Sequence, residues 1–118
     1  MAEAMHHRWS DIEPEPMNKL ITRQYVTGVK TMLARIVLLK GAIVPLHSHH
    51  NEQISHVLEG ELVFVMGGKE VTVGAGEVLC IPPDVPHEVY VNADTVVMDV
   101  FNPPRQDWID GDDAYLRG

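Results

Sequence analysis

Residues 41–60 read GAIVPLHSHHNEQISHVLEG. His47, His49 and Gln53 stand at i, i+2 and i+6 between two apolar, strand-like runs. Alternate residues of an extended chain point to the same side, so His47 and His49 face one point. Gln53 rejoins that face after a short bend through His50, Asn51 and Glu52. Three lone-pair donors on one face, framed by Gly41 and Gly60, are what part of a metal site requires. A further ligand must come from elsewhere in the chain, and His87, in IPPDVPHEV (residues 81–89), is the best candidate. Glu52, a carboxylate, remains the alternative to Gln53. His50 and His56 read as residues outside the ligand set.

On either side of this stretch the chain reads as short strands. The runs are Leu20–Thr27, Thr31–Leu39, Ile54–Leu58, Glu61–Met66, Lys69–Val73, Val78–Ile81, Glu88–Val91 and Thr95–Phe101. Turns are expected at Glu59-Gly60, Gly67-Gly68, Gly74-Ala75-Gly76, Pro82–Pro86 and Asn92-Ala93-Asp94. Breaks at this regular spacing, with little helical periodicity, predict an all-β sandwich or barrel. A chain of 118 residues is one domain by length. Its barrel core is expected over 20–102, with 1–19 as an extended, solvated arm and 103–118 as a tail resting on the barrel as a short helix or turn.

Composition narrows the partners. Apolar residues make up 45% of the chain, an ordinary value for a globular protein, and no apolar run is long enough for a membrane span. The formal charge of −8 argues against nucleic acid as a partner. It leaves room for a small anion, because a metal and an arginine can reverse the field inside a cleft. The N-terminus lacks the pattern of a signal peptide, and the single cysteine, Cys80, fits a reducing cytoplasm. Cys80 sits in the apolar run VLCIPP and is expected to be buried. His6 and His7, near the terminus, make a poor metal site.

The stretch resembles the first motif of the cupin family: Gly41, five residues, His47-Ser48-His49, three residues, Gln53, six residues, Gly60. Gly76, five residues, Pro82 and then His87 resemble the second motif. The resemblance covers roughly 31–101 and implies a double-stranded β-helix, or jelly roll, with the ligands pointing into the barrel, and a homodimer. Three positions depart from the general pattern. Gln53 stands for the usual glutamate, Asp84 for the glycine after the proline, and Val91 for an asparagine after His87.

A narrower resemblance lies in HSHHNEQISHVLEGELVF, AGEVLCIPPDVPH and DVFNPPRQDW. These look like the KdgF-type cupins, which linearise 4,5-unsaturated uronates in pectin and alginate breakdown. The resemblance implies a glutamine metal ligand, an aspartate in the last strand and an arginine after the Pro-Pro turn. Here these are Gln53, Asp99 and Arg105.

Physical reading of the same residues agrees with that chemistry. Three imidazoles and a neutral amide leave the full charge on a divalent ion, which makes it a stronger Lewis acid than a site with a carboxylate ligand. Such ligands suit Zn, Ni, Fe, Mn or Co. Strict alternation puts Val97, Asp99 and Phe101 on one face of the last strand. If that face is the interior, Asp99 lies near the metal with Phe101, and burial raises its pKa toward the range of a proton carrier. Its alternative role is a structural salt bridge with Arg35. Arg105 can clamp a substrate carboxylate bidentately, or be purely structural. The reaction expected is ring opening and ketonisation of an unsaturated uronate. The competing readings are an Fe-dependent cupin dioxygenase and a metal-containing binding protein without turnover.

Overall fold

The structure is a computed structural model and describes residues 3–117. After a 3-10 turn at Trp9–Asp11 come β1 (Glu15–Asn18), β2 (Ile21–Thr27), β3 (Met32–Leu38), β4 (Ile43–His47), β5 (Glu52–Met66), β6 (Lys69–Gly74), β7 (Val78–Ile81) and β8 (His87–Asn102). Two short helices follow, α1 (Gln106–Ile109) and α2 (Ala114–Arg117). Every strand pairing is antiparallel, in the order β1-β2-β3-β8-β5-β6, with β4 also on β8 and β7 also on β5.

The two long strands close the barrel. The first half of β5 pairs with β7 and its second half with β6. Likewise β8 pairs with β4 through its first half and with β3 through its second. Each long strand therefore passes from one sheet of the sandwich to the other, which is the jelly roll expected from the sequence.

Glu59-Gly60 and Asn92-Ala93-Asp94 are not the turns expected. They are the places where β5 and β8 bend together without losing their pairing, with register shifts between Val57 and Leu62. Gly60 has φ +89°, and a Cβ there would collide with the Asp94 carbonyl and with Thr95. Thr95 fixes the bend: its Oγ1 accepts from Glu61 N at 3.0 Å and donates to the Ala93 carbonyl at 2.8 Å.

Two other expectations are corrected. Residues 15–18 are not a solvated arm but the edge strand β1, with Met17 buried. Pro16 is compatible with an edge, where its missing N–H is not needed by a second neighbour. Cys80 is exposed, not buried. Alternation along β7 turns Ile81 inward and leaves Val78 and Cys80 outward, so local apolar company did not decide its side.

The interior is filled from both sheets by Ala34, Val57, Leu62, Phe64, Val97 and Phe101. The C-terminal segment adds Trp108 and Leu116 to the same core, so the expected tail is a packed part of the fold. Among the described residues no helix is long and apolar enough to cross a membrane.

Candidate metal centre and active site

β4 ends at His47, β5 begins beside His49, and β8 begins at His87, so three strand ends meet at one mouth of the barrel. His47 and His87 are direct cross-strand partners. The ring nitrogens of His47, His49 and His87 available to an ion all lie within 4.8 Å of one another.

The backbone sets the tautomer of each ring. His47 Nδ1 lies 2.7 Å from the Pro45 carbonyl, His87 Nδ1 lies 2.9 Å from the Val85 carbonyl, and His49 Nδ1 lies 3.0 Å from the Asn51 carbonyl. A carbonyl only accepts, so each Nδ1 carries the hydrogen and each Nε2 presents a lone pair. Burial, with the neighbouring imidazoles and Arg105 adding to it, pulls His47 down to about 4. Burial, then Arg105 and His87, pulls His49 down to about 4 as well. Burial also lowers His87. All three rings are therefore neutral near pH 7, the form that binds metal.

Gln53 completes the arrangement. It is 5% exposed, while Glu52 next to it points to solvent, so the alternation of β5 brings Gln53 and not Glu52 to the histidines. Gln53 Nε2 donates to Ser55 Oγ at 2.9 Å, and Ser55 Oγ donates to Asp99 Oδ1 at 2.6 Å. Gln53 Oε1 then faces His49 Nε2 at 3.0 Å. With the His49 hydrogen committed at Nδ1, this contact brings two acceptors together. A cation between them, or a second proton on His49, would satisfy both, and burial of His49 opposes the proton. The donor set of three imidazoles and one amide oxygen thus fits a divalent transition ion.

Asp99 is the cross-strand neighbour of Ser55 on β8 and is 7% exposed. Burial pushes its carboxyl up to about 6, against the opposing effects of the Ser55 hydroxyl and the Arg105 charge. The alternative salt bridge with Arg35 is not formed. Arg35 donates to Gln24 instead, and lies on the opposite face of β3.

Arg105 follows Pro103-Pro104 and is 2% exposed. Asn51, itself buried, ties this turn to the histidine loop by donating to the Pro103 carbonyl at 2.6 Å. The expected bidentate clamp is not available in this structure, because the fork of Arg105 is already used. Nε and Nη2 donate to the two oxygens of Asp107 at 2.9 and 2.8 Å, and Nη2 also donates to Tyr115 Oη. Only Nη1 makes no hydrogen bond among the described residues. The Arg105 guanidinium lies 5.0 Å from the centre of the Phe101 ring.

His47, Gln53, His87, Asp99, Phe101 and Arg105 line one cleft. His50, His56, His6 and His7 are exposed and outside it.

Sequence reasoning missed four residues here. Ser55 was detectable, since it lies two residues from Gln53 on one strand face. Asn51, Asp107 and Tyr115 gave no periodic signal. The Tyr115 ring stacks on His47 with centroids 4.6 Å apart, and its hydroxyl accepts from Arg105 Nη2 and from Trp108 Nε1 at 3.2 Å. A ring of charges holds this segment down. Arg23 pairs with Glu15 at 2.5 Å and Asp113 at 2.8 Å, and Arg117 pairs with Asp113 at 2.9 Å and Glu15 at 3.0 Å. Burial pushes Asp113 up, but its bonds to Arg117 and Arg23 outweigh this and keep it ionised.

Comparison with known proteins places this geometry. An RmlC-like cupin from Shewanella frigidimarina is 27% identical, with 90% of this chain and 96% of that one covered and a TM-score of 0.82. KdgF from a Halomonas species is 21% identical, with 86% and 96% covered and a TM-score of 0.79. A predicted oxalate decarboxylase from Thermotoga maritima is 27% identical, with 84% and 99% covered and a TM-score of 0.73. No curated protein matches the sequence. The sequence profile of the cupin domain matches residues 34–101, which carry the three histidines, Gln53 and Asp99, and the chain belongs to the cupin domain family.

Proposed function

We propose that the protein is a metal-dependent cupin enzyme that opens the ring of a 4,5-unsaturated uronate and converts it to the linear keto form. The observation that carries this reading is the placement of a buried carboxyl, Asp99, and a buried cation, Arg105, in one cleft with the histidine cluster. His47, His49, His87 and Gln53 would hold the ion, which supplies positive charge for substrate oxygens when bound.

The remaining steps belong to the chain itself. Arg105 offers Nη1 to the substrate carboxylate, an end-on contact and not a fork. Phe101 supports that guanidinium and walls the cleft against water. Asp99, with its carboxyl near pH 6, is mostly ionised at neutral pH and can take the proton of the C1 hydroxyl. As that proton leaves, the C1–O bond becomes a carbonyl, the bond from C1 to the ring oxygen breaks, and its electron pair stays on the ring oxygen as an enolate. Asp99 then returns the proton to C4 while the C5–O bond becomes a ketone. The reaction is an isomerisation: one proton moves, and no oxidant or reductant is consumed.

The expected homodimer remains part of this proposal. Ile54, Leu58 and Val78 turn outward on neighbouring strands at 39, 43 and 55% exposure, an apolar strip that a second copy would cover. Sedimentation at micromolar protein would give a dimer mass if so, and a monomer mass if not.

The test of the reaction is optical. Metal-loaded protein added to an unsaturated uronate monomer is expected to remove the absorbance of the conjugated double bond faster than the spontaneous rate, and chelator is expected to abolish the difference. A metal-loaded protein that leaves the rate unchanged would sink this substrate. Oxygen uptake by an iron-loaded form would then favour the dioxygenase reading.

A further inference from the structure

We propose that Ser55 is a positioning residue that sets the side-chain amide of Gln53 with its oxygen toward the ion, using Asp99 as the anchor. The inference rests on the metal centre proposed above and not on the identity of the substrate.

The argument is one of hydrogen-bond direction. A primary amide has a donor end and an acceptor end of nearly the same shape, so packing alone does not choose between them. Only the oxygen end can serve as a neutral metal ligand, so a reversed Gln53 would turn N–H hydrogens toward the ion. Something must fix the choice. Ser55 is fully buried, and its hydroxyl has one hydrogen to give. Asp99 Oδ1 takes that hydrogen at 2.6 Å. An ionised carboxylate cannot give it back, so the Ser55 oxygen is left as an acceptor. The Gln53 group 2.9 Å away must then be the N–H end, and Oε1 is turned to His49. The three residues share one interior face of the barrel: Gln53 and Ser55 are two apart on β5, and Asp99 is directly across on β8.

This arrangement explains a feature of the sequence. A glutamate at position 53 has two equivalent oxygens and needs no such control. A glutamine does, and Ser55 supplies it. Buried partners that orient a metal ligand typically change affinity by about 10–100-fold when removed.

The test uses the full chain, stripped of metal and titrated with Co(II) or Zn(II). Ser55→Ala is expected to weaken binding by roughly tenfold or more. In the Gln53→Glu background, the same substitution is expected to have little effect on affinity, because no amide remains to be oriented. An equal loss in both backgrounds would overturn the inference and make Ser55 a packing residue. Unchanged affinity for Ser55→Ala in the Gln53 background would overturn it as well. A second measurement needs no variant. In the 15N-labelled zinc protein, the side-chain NH2 of Gln53 is expected to persist with one hydrogen protected from solvent exchange. Loss of that protection, or coordination through the nitrogen, would also overturn it. All these readings concern metal affinity and amide protection, so they stand apart from the uronate assay.

Discussion

The cleft has two walls built on different principles. The first carries His47, His49, Gln53, Asp99 and Phe101 on or beside paired strands, where the period of two dictates which residues face inward. The second carries Arg105, Trp108 and Tyr115 on a Pro-Pro turn and two helices of four residues each. Helices this short have little stability of their own. Their position comes from Trp108 and Leu116 in the core and from the four-membered ring of Glu15, Arg23, Asp113 and Arg117. One wall is held by backbone ladders and the other by side chains. The histidine cluster and the Arg105 segment thus have separate main supports, linked through the Asn51 bond to Pro103 and the Tyr115 stack on His47.

The largest effect expected is at Asp99. Asp99→Asn should lower kcat on the uronate by about 10²–10⁴-fold, the usual range for losing a proton carrier. The same change should stabilise the metal-free fold at high pH. The carboxyl is pushed up from 3.8 to about 6, so the folded state holds its proton more tightly than the unfolded state does. Its stabilising contribution is full below pH 4 and is lost as pH rises through 6. The deficit in the wild type at pH 8 is on the order of 3 kcal/mol. Urea denaturation of both proteins at pH 4 and pH 8 measures it. If the two proteins lose the same amount between these pH values, Asp99 is not buried as described.

A smaller effect is expected at the base of the second wall. Asp113 is fully buried between Arg23 and Arg117. Breaking a buried pair costs about 3–5 kcal/mol when one charge is left alone. Glu15 remains beside both arginines, so Asp113→Asn should cost less, about 2 kcal/mol. The readout is denaturant stability together with metal titration. A fall in stability with unchanged metal affinity supports two separately held walls, and a matching fall in metal affinity would break the comparison.

The smallest change is Tyr115→Phe, which keeps the ring on His47 but removes the hydroxyl. Trp108 Nε1 loses its partner and Arg105 Nη2 loses one of two, at a cost of about 1–2 kcal/mol. KM for the uronate should rise roughly tenfold, the change in k that 1.4 kcal/mol represents. kcat should hold. A fall in kcat at constant KM would instead place the hydroxyl in the chemistry.

The same contrast explains what the sequence could tell. His47, His49, Gln53 and His87 were legible through their resemblance to the two cupin motifs, although His49 lies in a loop and His87 on a separate strand. The inward face shared by Val97, Asp99 and Phe101 was legible because period two converts number into direction. Ser55 obeyed the same rule, but a serine is not among the usual metal ligands and the motif assigns it no role. Cys80 was misjudged from its apolar neighbours when its parity along β7 gave the answer. Gly60 and Asp94 marked bends that local sequence makes look like turns, since only the partner strand shows that pairing continues. In the second wall Arg105 and the packed tail were legible, but the links between them were not. The bond from Arg105 to Tyr115 and the pairs from Asp113 to Arg23 and from Glu15 to Arg117 join residues by side chain alone, and no periodicity records them.

The central claim is that three backbone-oriented imidazoles and an oriented amide form a metal centre. The most direct measurement is metal content and affinity of tag-free protein, beside its His49→Ala variant. The account predicts one divalent transition ion per chain, and a loss of roughly 100-fold or more in affinity on substitution, beyond the effect of an orienting neighbour. A wild-type protein that holds no ion after reconstitution, or a variant that binds equally well, would contradict it.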